Sequence, residues 1–332
     1  MRKAILFGAS KQGEHAYDRL KSCYKIIAFC DSDKTKWGKK FCGVQVISPK
    51  ELIRYNEADI IITSSYYREI QSLLDLMGFD YSVFNYNYDL VPSSKKLTDK
   101  MKIVDFGKYL SNSAKSKIEG LSFLTGGSSL LDYICIFKML ELTEAKTYLE
   151  IGTWTGESLA IASEYCEKCY SISLPDDDES IVRHFDEINN KDNFSRFFTR
   201  NKSNIEHYCS DSRIFDFAVI NDSIDVVFID GDHSFEGVKT DTANILKVID
   251  FNRSIIIWHD FTVGARKHYR HDTIRAVYDS MPDEYHENIF YIDMTMCGAY
   301  IPSKYLSSLP TAPKRNEITS FTFEYDCKIL KK

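Results

Sequence analysis

The stretch that decides the fold is Tyr148-Leu-Glu-Ile-Gly-Thr-Trp-Thr-Gly-Glu-Ser158. An apolar strand ends at Glu150, and Gly152 and Gly156 bound a tight turn that opens into a helix. The first N–H groups of a helix have no partner within it, so they face such a turn and favour an anion. In an open α/β sheet, ligands bind at the carboxyl ends of the strands. The stretch therefore predicts an α/β domain whose ligand crevice lies at this turn.

Strands and helices alternate around this turn. Apolar runs predict the strands, and helical periodicity fills the gaps between them. The predicted strands are 147–151, 169–173, 205–210, 225–229 and 254–259, and the predicted helices are 130–142, 156–165, 178–189 and 236–249. The closing strands, 289–293 and 298–301, are so near in sequence that they should be antiparallel. We expect a seven-stranded, mostly parallel sheet with one antiparallel strand.

Two of the predicted strands end in acids and a histidine. Residues 225–233 read DVVFIDGDH, and residues 255–261 read IIIWHDF. A core cannot bury unpaired carboxylates cheaply, so Asp230, Asp232 and Asp260 should lie at the strand ends, in the crevice. Neighbouring parallel strands are ~5 Å apart, a spacing that would bring Asp230 and Asp260 onto one ion.

The chain opens with another strand–turn–helix unit. An apolar strand at 4–7 runs into Gly8 and Gly13, and the next strand ends at Asp31. This is the order of a mononucleotide-binding βαβ unit. Ser10 stands where a middle glycine would let the backbone approach a pyrophosphate. Two interpretations stay open: a nucleotide site at Gly8, Gly13 and Asp31, or a domain that only packs against its neighbour.

Charge and composition divide the chain into three parts. We expect a first domain at 1–92, a Lys- and Ser-rich linker at 93–118 and a second domain at 119–332. The last part carries 22 Lys and Arg against 35 Asp and Glu. A domain this acidic would repel a phosphate backbone, which argues against nucleic acid as a partner. A small molecule or a sugar is the better expectation.

The sequence also bears on the compartment. No apolar run approaches the ~18 residues of a membrane span, and the apolar stretch at the start is too short for a signal peptide. The nine cysteines are odd in number and scattered, as is typical of reduced thiols. The close pair Cys166 and Cys169 has no second pair to complete a zinc site. We expect a cytoplasmic protein, and homo-oligomerisation stays open.

The glycine turn resembles motif I of the class I, Rossmann-like methyltransferases that use S-adenosylmethionine. The pattern of that family is E-x-G-x-G-x-G, and Trp154 replaces its middle glycine. The stretches IDGDHSFEGV (229–238) and WHDF (258–261) resemble O-methyltransferases of the macrocin and sugar-modifying type, which include many capsule-biosynthesis enzymes. Residues 1–90, through FGASKQG and FCDSD, are similar to Rossmann-like domains attached to nucleotide-sugar and surface-polysaccharide enzymes.

The resemblance implies that S-adenosylmethionine binds along the carboxyl edge of the sheet. The residues implied to bind it are Glu150, Gly152, Thr153, Gly156, Ser158, Ser173, Asp211, Ser212 and Asp230. Ser173 stands where relatives have an acid for the ribose hydroxyls, so this serine, or an acid at 176–178, would do that work. Asp211 would accept from the adenine amino group, although a helix cap is an alternative role for it.

The resemblance also implies a catalytic centre with Mg²⁺. Asp230 and Asp260 would hold the ion, and His233 would act as the base. His259 occupies a position where relatives often have an acid or a histidine, which makes it a third candidate ligand. Structural roles stay open as well: a helix cap or strand-end hydrogen bond for His233, and a loop-ordering pair for His259 and Asp260.

A basic island, Ala265-Arg-Lys-His-Tyr-Arg-His271, interrupts the acidic domain. Its Arg266, His268 and Arg270 could meet the phosphates of a nucleotide-linked sugar. An ordinary surface loop is the alternative interpretation.

These features predict an S-adenosylmethionine-dependent O-methyltransferase that methylates a sugar hydroxyl for a capsular or other surface polysaccharide, with a nucleotide-linked sugar favoured. One alternative is a methyltransferase that acts on a non-sugar hydroxyl or an amine. Another is a nucleotide-sensing interaction protein whose methyltransferase domain is vestigial, which the intact Asp230, His233 and Asp260 argue against. A nicotinamide-dependent reductase would need the missing middle glycine of the first turn.

Overall fold

The computed structural model describes residues 1–84, 90–93, 95–98, 100–122, 127–182, 195–262 and 271–312. The chain forms two compact units, each built on its own sheet. The first unit comprises Met1–Asp99, Gly231–Asn244 and Phe261–Asp283, and the second comprises Lys100–Asp230, Ile245–Asp260 and Glu284–Lys332.

The first unit contains a seven-stranded sheet in the order β3-β4-β2-β1-β5-β6-β7. Its strands are β1 Arg2–Phe7, β2 Tyr24–Cys30, β3 Lys40–Phe41, β4 Val44–Ile47, β5 Asp59–Ile62, β6 Tyr81–Phe84 and β7 Leu90–Pro92. Only β3 and β7 pair antiparallel to their neighbours. The central strand is fully buried from Ala4 to Phe7, as expected for a parallel strand covered on both faces.

The second unit contains a nine-stranded sheet in the order β11-β10-β9-β12-β13-β15-β14-β8-β16. Its strands are β8 Lys102–Val104, β9 Thr147–Ile151, β10 Lys168–Ser173, β11 Ile205–Cys209, β12 Val226–Ile229, β13 Ile255–Trp258, β14 Ile289–Ile292, β15 Gly298–Tyr300 and β16 Thr311–Ala312. From β9 the chain order runs outward in both directions, which puts a topological switch point between β9 and β12. Ligands bind beyond the strands' carboxyl ends at such a point.

The sheet of the second unit was predicted to have seven strands with one reversed, and this number is wrong because the sheet has nine strands. The seven predicted strands, β9 to β15, are present with β15 reversed, but β8 and β16 extend the sheet, and β16 is reversed as well. These two strands have three and two residues. They are too short to produce an apolar run, and they are recruited by pairing with β14 and with each other.

The helices complete both units. They are α1 Lys11–Leu20, α2 Tyr67–Met77, α3 Lys95–Thr98, α4 Phe106–Asn112, α5 Leu130–Thr143, α6 Glu157–Tyr165, α7 Phe235–Ile245 and α8 His271–Ser280. Within the described parts of the chain, no helix is long and apolar enough to cross a membrane.

The grouping of segments differs from the expected division at 92 and 118. Residues 100–112, expected in a linker, form β8 and α4 of the second unit. Residues 261–283 group with the first unit because α8 packs beside β7. Sequence order alone does not show these long-range contacts.

Asp225 anchors the amino end of β12 in the second unit. Its Oδ2 accepts from the backbone N–H groups of Lys146 and Thr147 at 2.9 and 3.0 Å, and its Oδ1 pairs with Arg253. The side chain is buried, so these bonds replace the lost hydration. They fix β12 beside β9, and with it the opposite end of β12, where the candidate site lies.

Candidate functional site

Three polar side chains meet where β12 and β13 end. The strands pair in parallel with Ile229 opposite Trp258, so Asp230 and His259 leave the sheet side by side. Nδ1 of His259 lies 3.1 Å from Oδ1 of Asp230 and 4.0 Å from Oδ2 of Asp260. Ligand atoms of the three residues all lie within 4.8 Å of one another. The structure thus brings together the residues implied for a metal site, in an arrangement that can hold one divalent ion.

The backbone at Asp260 makes this convergence possible. Successive side chains of an extended strand point to opposite faces, so His259 and Asp260 would ordinarily diverge. Asp260 instead has φ +53°, the left-handed region that residues with a Cβ seldom adopt. Such conformations cluster at functional sites because the surrounding structure must hold them.

Asp132 on α5 is a further member of the site that sequence reasoning missed. Its Oδ2 lies 3.7 Å from Nε2 of His259. The carboxylate is fully buried and accepts hydrogen bonds from the N–H groups of Ser129, at 2.6 Å, and Met296, at 2.7 Å. A lone acid in the apolar-rich stretch 130–137 was the available signal, because a buried carboxylate needs a partner.

The cluster concentrates negative charge. Burial opposes a charge on His259, but the carboxylates of Asp230 and Asp132 raise its pKa to about 10. Burial likewise opposes ionisation of Asp132, but the neighbouring His259 and the hydrogen bond from the Met296 N–H hold its pKa below the usual value. Three carboxylates thus surround one imidazole, and a bound cation would offset the excess negative charge.

The glycine turn lies beside this cluster. The N–H of Asp230 donates to the carbonyl of Ile151 at 2.9 Å, one residue before Gly152. Gly152 and Gly156 have φ +90° and +86°, and a Cβ on Gly156 would lie 2.7 Å from Oγ1 of Thr199. Gly156 begins α6 without a side-chain cap. The turn therefore suits the carboxylate of a ligand such as S-adenosylmethionine, because the amino end of a helix favours an anion.

Two polar residues of this motif have internal partners. The Thr153 hydroxyl is buried and lies 2.6 Å from the Ser171 hydroxyl. Glu150 is fully buried and accepts from the Tyr148 hydroxyl at 2.8 Å. Burial raises the pKa of Glu150 to about 8. Both residues thus stabilise the turn through hydrogen bonds inside the protein. Ser158 is also buried, in α6.

Arg196 was also missed, and it ties the turn to the end of β10. Its Nη1 donates to Oγ of Ser173 at 2.9 Å, and its Nη2 pairs with Asp176. Its own N–H donates to the carbonyl of Trp154 at 2.6 Å. The side chain is buried. Arg196 therefore brings Asp176, one of the displaced acids, next to Ser173 at the predicted ribose end of the crevice.

At the end of β11, Asp211 holds Arg213. Nε of Arg213 lies 2.9 Å from both carboxylate oxygens, and the hydrogen bonds from Arg213 lower the pKa of Asp211. An adenine amino group would have to bind the remaining lone pairs. The roles of Asp211 and the half-buried Ser212 at adenine stay predictions.

His233 lies outside the three-residue cluster. It follows β12 by four residues, its side chain is exposed, and its segment groups with the first unit. Asp232 turns the chain into α7 by accepting from the N–H and hydroxyl of Ser234 at 2.9 and 2.8 Å. The role of His233 as base stays a prediction. Arg266, His268 and Arg270 lie outside the described residues.

In the first unit, close packing requires a glycine at both Gly8 and Gly13 of the predicted nucleotide site. Gly8 has φ +132°, and a Cβ there would lie 2.6 Å from the carbonyl oxygen of Thr63. A Cβ on Gly13 would lie 2.0 Å from the carbonyl oxygen of Gly8. Ser10, which replaces the middle glycine, caps α1 by accepting from the N–H of Gly13.

Asp31 has protein partners on both oxygens. Its Oδ2 accepts from the N–H of Ala9 and from Nζ of Lys36, each at 2.9 Å, and its Oδ1 accepts from the N–H of Asp33 at 2.8 Å. These contacts join β2 to the glycine turn. They give Asp31 a structural role, as the interpretation without a nucleotide expects. A nucleotide at Gly8, Gly13 and Asp31 stays a prediction.

Family models match both parts of the chain. Residues 149–261, which contain the glycine turn and the metal cluster, match a model described as a methyltransferase domain. Residues 1–83 match a model described as C2185-like, N-terminal. No curated protein matches the chain. The match of residues 149–261 supports the resemblance of the turn to methyltransferases at the level of a domain of mixed α/β fold.

Solved structures show weak likeness. A protein assigned as an O-methyltransferase from Klebsiella pneumoniae is 12% identical with a TM-score of 0.36, over 54% of this chain and 84% of that one. One assigned as a caffeoyl-CoA O-methyltransferase from Staphylococcus aureus is 14% identical with a TM-score of 0.35, over 59% and 87%. UDP-D-quinovosamine 4-dehydrogenase from Vibrio fischeri is 19% identical with a TM-score of 0.23, over 25% and 76%.

Proposed function

We propose that this protein is a metal-assisted, S-adenosylmethionine-dependent O-methyltransferase. The observation that carries the proposal is the bond between the N–H of Asp230 and the carbonyl of Ile151. It joins the cluster of Asp230, His259 and Asp260 to the glycine turn, inside the region that matches a methyltransferase domain. A methyl donor in the turn and an acceptor hydroxyl at the cluster would then be neighbours.

The residues divide the binding of S-adenosylmethionine among themselves. Gly152, Gly156 and the start of α6 receive its carboxylate, and Ser173 with Asp176 receives the ribose hydroxyls. The cofactor supplies an activated methyl group for in-line transfer to the acceptor oxygen. Holding the acceptor in line with that methyl group accounts for much of the rate, since positioning converts the encounter into an intramolecular step.

Asp230, His259 and Asp260 would hold the ion, and Mg²⁺ is the ion that the resemblance implies. A divalent ion held there would lower the pKa of the acceptor hydroxyl. His233 would accept the hydroxyl proton, and its exposed side chain could pass that proton on to water.

We further propose a sugar hydroxyl as the acceptor, on a nucleotide-linked sugar made for a capsular or other surface polysaccharide. Two features support it: the resemblance of residues 229–238 and 258–261 to sugar O-methyltransferases, and the acidic charge of residues 119–332, which disfavours nucleic acid. We place the reaction in the cytoplasm, where nucleotide sugars are made.

Calorimetry tests the core of the proposal. The full chain should bind S-adenosylmethionine, and incubation with a panel of nucleotide sugars should give one product heavier by a methylene group. No binding of the cofactor, with or without a divalent ion, would refute the methyltransferase. Cofactor binding with methylation of phenols or amines alone would refute the sugar.

A further inference from the structure

The ligand set at the ends of β12 and β13 is unusual for Mg²⁺. Mg²⁺ is held by oxygen ligands and keeps much of its water. Here a buried imidazole lies between two carboxylates, with His259 only 5% exposed. Imidazole nitrogen is a better ligand for first-row transition ions than for Mg²⁺, and binding strengthens along the Irving–Williams order. The imidazole among the ligands therefore favours a first-row transition ion over Mg²⁺.

Asp132 faces the edge of the His259 imidazole that points away from the cluster. Nδ1 is the edge that lies near Asp230 and Asp260, and Nε2 faces Oδ2 of Asp132. Nε2 is buried and makes no hydrogen bond within the described residues, so the Asp132 carboxylate at 3.7 Å is the group toward which an Nε2–H points. A proton held on Nε2 leaves the lone pair of the neutral ring on Nδ1, where an ion can take it.

Asp132 itself is held rigidly. Its oxygens accept from the N–H groups of Ser129 and Met296, and its Oδ1 lies 3.7 Å from the thiol of Cys297. His259 also packs edge-to-face with Phe228, the ring centroids 6.0 Å apart. The ring is thus placed with Nδ1 near Asp230 and Asp260.

We propose that Asp132 positions His259 to bind through Nδ1, and that the site consequently takes a first-row transition ion such as Mn²⁺ in preference to Mg²⁺. Asp132 is a positioning residue that does not touch the ion. The inference rests on the proposed function only for placing the ion near the methyl donor. A competing arrangement is an ion pair of His259 with Asp230 and Asp132 that binds no metal.

The test uses the full chain, freed of metal with a chelator, and Mn²⁺ followed by electron paramagnetic resonance. The spectrum of free Mn²⁺ should disappear on binding, and excess Mg²⁺ should not restore it. Pulsed measurements should show one directly bound imidazole nitrogen. Displacement by equimolar Mg²⁺, or absence of the nitrogen signal, would overturn the proposal.

Variants separate positioning from general stability. Asp132→Asn should weaken Mn²⁺ binding by about 10–100-fold, the usual effect of removing a partner of a metal-bound histidine. The matched control is Asp105→Asn, which removes another buried carboxylate, the cap of α4 that follows β8, and should leave Mn²⁺ affinity unchanged. Equal effects of the two variants would contradict the positioning role.

The outcome is distinguishable from that of the proposed function. Mn²⁺ binding and S-adenosylmethionine binding are measured separately on the same sample. Cofactor binding without selective Mn²⁺ binding would refute the ion preference and leave the proposed methyltransferase supported. Selective Mn²⁺ binding without cofactor binding would refute the methyltransferase and support the ion preference. If Asp132→Asn does not fold, the nitrogen signal of the unaltered protein still decides whether His259 is a ligand.

Discussion

Arg196 joins two elements of the predicted cofactor crevice: Nη1 of its guanidinium lies 2.9 Å from Oγ of Ser173, and its backbone N–H donates to the carbonyl of Trp154. The same side chain pairs with Asp176. Arg196 therefore sets the distance between the glycine turn and the end of β10, which hold opposite ends of the proposed cofactor.

Replacing Arg196 with methionine should weaken S-adenosylmethionine binding by about 10–100-fold, because a hydrogen bond to a charged group contributes about 1.5–3 kcal/mol. Isothermal calorimetry measures the change. Lys168→Met, at the start of β10, removes an exposed ion pair with Glu206 and should leave binding unaltered. An Arg196→Met protein with normal affinity would show that the link is dispensable.

Gly152→Val should abolish cofactor binding in a protein that still folds, because φ +90° disfavours a Cβ and the side chain would enter the turn. Gly43→Val is the control: its φ is +78°, and a Cβ there meets nothing within 4 Å. Melting curves should show similar losses for both variants. Normal cofactor affinity in folded Gly152→Val would refute the assignment of the turn.

Turnover should stop in excess chelator and return on adding a divalent ion. Asp230→Asn and Asp260→Asn should each lose metal-dependent activity, because an amide is a weaker ligand than a carboxylate. Asp222→Asn, which alters an exposed carboxylate bonded to the Tyr170 hydroxyl, should remain active. Full turnover in chelator would exclude a role for the metal.

His233→Ala should keep cofactor and metal affinity but lose ~10²–10⁴ in rate, the usual contribution of a general base. The exposed side chain makes a folding defect unexpected. His286→Ala alters another histidine outside the site and serves as the control. An unimpaired His233→Ala would place the base elsewhere, with His268 the next residue to test.

Glu150 predicts a pH dependence of stability. Its folded-state pKa of about 8 exceeds the ordinary glutamate pKa of 4.5, so above pH ~4.5 the unfolded chain releases this proton first. The free energy of unfolding therefore falls as the pH rises to ~8, and this loss stays constant above pH ~8. Glu150→Gln removes the loss, so denaturant unfolding should show that the stability of the variant rises relative to that of the unaltered protein between pH ~4.5 and ~8. Parallel curves would contradict the raised pKa.

The parts of the site that local sequence could predict are those fixed by strand ends. Asp230 and Asp260 follow apolar strands, and the structure places both carboxylates at one edge. Asp132 and Arg196 could not be assigned partners in advance. Their partners lie far along the chain, and only the packing of α5 and of the segment after residue 194 brings them together.

The sheet shows the same limit. Apolar runs predicted the central strands, whereas β8 and β16 are too short to have a periodicity of their own. The left-handed backbone at Asp260 was equally invisible, because nothing in WHDF requires it. Yet that turn determines whether His259 and Asp260 can act on one ion.

The chain leaves the second unit directly after Asp230 and again directly after Asp260. Each unit is consequently a mosaic of three stretches of sequence, and no single cleavage or recombination point separates them. A gene fragment ending at codon 99 would omit α8, which packs beside β7, and one starting at codon 100 would still encode residues 231–244 and 261–283 of the other unit. The two units can therefore be exchanged between proteins only as interleaved pieces of sequence.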